Sequence, residues 1–80
     1  MNQENYTTTD LALASYLSIE GFGIVSINGF SSKKEIVFGR KQGTKIEDVI
    51  EKYNYGKALV DPRKYFDELR FLKSRIYENM

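Results

Sequence analysis

The sequence predicts a single small α+β domain, and three observations carry that prediction. Three segments space their apolar residues helically between cap and stop residues, and two β-branched and aromatic runs flank a turn-forming stretch. The third is length: 80 residues bury only about 60 to 65 per cent of the unfolded chain's surface, enough for one core and not for two. Residues 1–7 are polar and are expected to form a loose tail, leaving 8–80 as the compact domain.

The first helix is expected over about residues 9–20. In TTTDLALASYLSIEG, Thr8 or Thr9 supplies the cap, Asp10 lies in the first turn, and Gly21 follows the end. Leu11, Leu13, Ala14, Tyr16, Leu17 and Ile19 spread around most of its circumference, which predicts a helix covered on more than one side. FGIVSI (22–27) and KEIVFGR (34–40) then read as a β-hairpin around NGFSSK. A two-residue Asn28-Gly29 turn would oppose Val25 to Ser32 and leave the second apolar run unmatched, so a loop of about seven residues is preferred, with Phe30, Lys33 and Lys34 near its tip.

TKIEDVIEKYNYG (44–56) opens with Thr44 and Glu47 in capping-box spacing and closes at Gly56, predicting a second helix with Ile46, Val49, Ile50 and Tyr53 inward. KALV could add a short third strand. Asp61 followed by Pro62 is the strongest boundary in the chain and starts the last helix. Tyr65, Leu69, Leu72 and Ile76 form its core stripe, with Phe66 and Tyr77 on one flank.

Composition excludes much chemistry. The chain has no cysteine and no histidine, which removes disulfides, thiolate metal sites, the commonest general base and the commonest transition-metal ligands. The carboxylates sit where caps and solvated helix faces want them. GFG (21–23) runs from helix into strand, the wrong order for a phosphate loop, and GRKQGTK (39–45) lacks the glycine-lysine-serine/threonine signature. It reads as a plain strand-to-helix loop, although the Thr44 helix N-terminus could take an anion. No catalytic residue, metal or cofactor is expected, and the protein is expected not to be an enzyme. The N-terminus has neither a basic nor an apolar leader, and no apolar run reaches the roughly 18 residues of a membrane span, so a cytoplasmic protein without membrane contact is expected.

Recognition residues remain. On a helical wheel Phe71 falls among Lys64, Asp67 and Arg75, nearly opposite Leu69 and Ile76. Either the hairpin or the tail covers it, or it is an exposed aromatic beside an arginine, the chemistry of protein-binding hot spots. Phe71, Lys64 and Arg75 are therefore the candidate protein contact. The alternative is nucleic acid, held by Arg63, Arg70 and Lys73 on the last helix together with Lys33, Lys34, Arg40 and Lys41 around the hairpin. The net charge of +1, from twelve basic and eleven acidic residues, favours the protein contact. An exposed apolar surface could equally be a homodimer seam.

TTDLALASYLSIEGF near the start and VDPRKYFDELRFLKSRIY near the end resemble a domain-of-unknown-function family of small proteins from phages and bacterial mobile elements, with IVFGR matching its phenylalanine-rich second strand. The resemblance spans about Thr8 to Tyr77. It implies a small non-enzymatic domain, with an inhibitor, an accessory subunit or a DNA-binding accessory factor as the roles common among such proteins, and it carries over no site residues.

Overall fold

A computed structural model of the protein describes residues 5–30, 33–41 and 43–78. The chain runs β1 (Tyr6–Thr8), α1 (Leu11–Ile19), β2 (Ile24–Phe30), β3 (Lys33–Phe38), α2 (Ile46–Asn54) and α3 (Pro62–Glu78). This is the α+β order expected, with one added strand. The antiparallel sheet has the order β1-β3-β2, and the Cα extents of 36 × 33 × 18 Å suit a sheet backed by one layer of helices.

The third strand comes from the segment expected to be a tail. Tyr6, Thr7 and Thr8 pair with Phe38, Val37 and Ile36, filling the edge of β3 that the hairpin leaves open. KALV forms no strand: residues 57–60 are irregular, and Ala58 and Val60 pack against the core instead. Residues 1–4 of the expected tail lie outside the described residues.

The hairpin is also tighter than the seven-residue loop predicted. Asn28, Gly29 and Phe30 pair with Glu35, Lys34 and Lys33, so the connection is Ser31-Ser32, which lies outside the described residues. The mismatch that argued for a longer loop is solved by a bulge. Ile24 opposes Phe38 while Ser26 opposes Val37, which makes Val25 the extra residue; it stands 59% exposed. Ile24 and Ile27 can then both sit beside the buried Phe38 and Ile36, while Thr7, Asn28 and Glu35 on the other face stay exposed.

Asp10, rather than Thr8 or Thr9, caps α1: its Oδ1 accepts from the N–H groups of Ala12 and Leu13 at 3.0 and 3.3 Å, and Thr8 Oγ1 accepts from the Asp10 N–H. At the other end Gly21 adopts φ +98°, and the N–H groups of Phe22 and Gly21 donate to Leu17 and Ser18. This is a Schellman stop, which glycine enters without a Cβ penalty. Five consecutive residues, Leu13 to Leu17, are buried, as the all-round apolar pattern predicted, because α1 packs against both α2 and α3. The expected capping box of α2 does not form. Thr44 bridges to Lys41 across the preceding loop, Lys45 becomes the cap without a side-chain bond, and Glu47 turns to Arg40 at 2.8 Å.

Candidate binding faces of the C-terminal helix

The start of α3 is as predicted. Asp61 Oδ1 accepts from the Arg63 and Lys64 N–H groups at 2.8 and 3.3 Å, and Pro62 occupies the first helical position, where its missing N–H costs nothing. Three contacts then fix the helix rotation. The Tyr65 hydroxyl donates to the Ala12 carbonyl at 3.0 Å, Ser18 Oγ donates to Glu68 at 2.6 Å, and Leu72 is fully buried.

With that rotation set, Phe71, roughly 100° from Leu72 around the axis, is turned out and stands 53% exposed. The Arg75 guanidinium lies 5.8 Å from its ring centroid, and Lys64 is exposed nearby on the same side. Phe71, Lys64 and Arg75 thus share one face of α3, with Arg75 placed over the half-exposed ring.

Phe66 and Tyr77, expected at the flank of the core stripe, are 55% and 68% exposed. The apolar sector of α3 is wider than α1 can cover: Tyr65, Leu72 and Ile76 use the contact, Leu69 at the edge of the stripe is only half-buried, and the next strip around the helix is left over. Arg70 lies over the Phe66 ring at 5.7 Å, and Arg63, Lys73 and Ser74 are exposed alongside.

The cations proposed for nucleic acid do not form one surface. Lys34 stands toward the hairpin end of β3, whereas Arg40 and Lys41 follow its far end, and the four residue steps from Lys34 to Phe38 alone span about 13 Å. Arg40 is paired with Glu47, while Lys41 donates to the Glu20 carbonyl at 2.6 Å and lies over the Phe22 ring at 5.0 Å. The Lys33 side chain lies outside the described residues. Of that set, Arg63, Arg70 and Lys73 remain together.

One cluster was not anticipated. Tyr16, Tyr53 and Tyr65 line a recess of about 230 Å³ with Gly56, Ala58 and Val60, and the rings of Tyr16 and Tyr53 stack at 6.1 Å. Burial raises all three phenol pKa values, reinforced by the charge of Glu20 at Tyr16 and of Asp10 at Tyr53 and Tyr65. The hydroxyls therefore stay protonated at neutral pH and offer hydrogen bonds rather than a base. Glu47 moves the other way: the hydrogen bond from Arg40 holds its carboxyl below the usual range. Among the described residues no group of three or more His, Cys, Asp or Glu side chains is placed to hold a metal ion, and no helix is long and apolar enough to cross a membrane.

A family model described as "Domain of unknown function (DUF5659)" matches residues 3–78, and the chain belongs to that family. Neither a curated protein nor a solved structure matches the chain significantly.

Proposed function

We propose that the protein is a small, non-enzymatic binding module that works by protein–protein contact, with Phe71, Lys64 and Arg75 at the contact centre. The exposure of Phe71 carries this reading. A phenylalanine left half in water, on the side of the helix away from the buried Leu72, contributes little to the fold, whereas an aromatic anchor beside arginine is the composition of binding hot spots. The resemblance of both chain ends to small phage and mobile-element proteins supports a role as an inhibitor or accessory subunit, including host counter-defence, in the cytoplasm of a bacterial host.

The test is capture of partners from bacterial lysate by wild type and Phe71→Ala side by side, with and without nuclease. A nuclease-insensitive protein retained by wild type and lost by Phe71→Ala, with both folded alike, is the expected result. Equal capture by both would remove Phe71 from the contact. Capture abolished by nuclease would replace protein with nucleic acid as the target.

A further inference from the structure

The second exposed strip of α3 has a different chemistry from the Phe71 face and calls for a different occupant. Phe66, Arg70, Lys73 and Tyr77 follow one another at spacings of four, three and four, the repeat of a helix-packing seam. Eleven residues at about 1.5 Å each place the two aromatic rings roughly 16 Å apart along the axis, with the two cations between them. On the wheel, Lys73, Phe66, Tyr77, Arg70, Arg63 and Ser74 occupy a continuous sector of roughly 100°, and no carboxylate falls within it. The strip borders the half-buried Leu69 and Ile76, of which Ile76 packs against the core, so its apolar part continues the core to the surface.

Charge decides what can cover it. If a second copy of the chain packed antiparallel along this seam, the twofold axis would pass midway between Phe66 and Tyr77, bringing Arg70 and Lys73 of both copies together. A parallel pair would set each cation against itself. Both arrangements gather four positive charges at the contact centre, where desolvation strengthens their repulsion. We infer that this strip is a docking seam for an amphipathic helix of another protein, one that places apolar side chains against Phe66 and Tyr77 and carboxylates against Arg70 and Lys73. The surface is separate from the Phe71 face and does not depend on it.

Two labelled helical peptides test the proposal against the full chain by fluorescence anisotropy. Both carry leucine at the positions meeting Phe66 and Tyr77; one carries glutamate at the two positions between, the other lysine. The glutamate peptide should bind at least about tenfold more tightly, as two charge pairs gained rather than opposed imply. Arg70→Glu combined with Lys73→Glu, at exposed positions that leave the thermal melt in place, should reverse the preference, and Phe71→Ala should leave it unchanged. Equal affinity for the two peptides would overturn the proposal, as would an unaltered preference in the charge-reversed variant. Labelled duplex or single-stranded DNA outcompeting the glutamate peptide at physiological salt would overturn it in favour of a polyanion site.

Discussion

Neighbouring residues on α3 should respond to truncation to very different extents. Leu72 is fully buried. Its replacement by alanine forfeits about 2.4 kcal/mol of transfer free energy, at roughly 0.8 kcal/mol per methylene, and the cavity left behind brings the loss to about 3–4 kcal/mol. Phe71 is 53% exposed. If the covered half of its roughly 200 Å² were all lost, the cost would be about 2.4 kcal/mol. That is an upper bound, because α3 itself supplies much of the shielding and the unfolded chain retains some of it. Alanine's better helix propensity returns about 0.5 kcal/mol, leaving a net loss near 1 kcal/mol. A domain of this length has a total stability of about 4–12 kcal/mol, so Leu72→Ala should lower the melting temperature by roughly 12–30 °C and Phe71→Ala by under about 8 °C. Urea unfolding followed by circular dichroism measures both. A loss for Phe71→Ala equal to that for Leu72→Ala would mean the ring is covered, and would refute both the helix rotation and the contact centre built on it.

Asp61→Ala removes the acceptor for two N–H groups at the start of α3 and should cost about 1 kcal/mol in the same assay; no change would show that water replaces the cap. Tyr16, Tyr53 and Tyr65 have raised folded-state pKa values, so the unfolded chain loses these protons first. Stability should fall as pH rises above about 10, with the three rings ionising above the ordinary phenol range in an ultraviolet titration, whereas ionisation of all three at the ordinary value would contradict their burial. Glu47 has a lowered folded-state pKa, so its small contribution is present above the unfolded value and disappears as pH falls through the folded one. Arg40→Gln should move the Glu47 carboxyl resonance back toward an ordinary titration, and an unmoved curve would show that the pair at 2.8 Å does not persist in solution.

Local punctuation made much of the fold legible. Asp61-Pro62, Gly21 and Gly56 each act within a few residues of themselves, and the helix boundaries they mark are the ones observed to within a residue or two. Capping by Thr44 and Glu47 failed because both residues are engaged outside the helix: the Thr44 backbone bridges to Lys41 across the loop, and the Glu47 carboxylate pairs with Arg40. The same limit hid β1, whose three residues carry no strand pattern of their own and are held by an edge of β3 some thirty residues away. It also hid the bulge at Val25, which reconciles a two-residue connection with the apolar register.

The sequence by itself determined that α3 has a core stripe and that Phe71 lies off it, because a helical wheel follows from backbone geometry alone. It could not determine how wide a stripe the neighbouring helix would cover. Only the packing of α1, with Ala12 and Ser18 gripping Tyr65 and Glu68, set the rotation of α3. That packing buried Leu72, left Phe71 beside Arg75, and exposed Phe66 and Tyr77 along with the cations between them. A wheel ranks residues by direction; which directions reach water depends on the breadth of the partner helix, and that is a tertiary quantity.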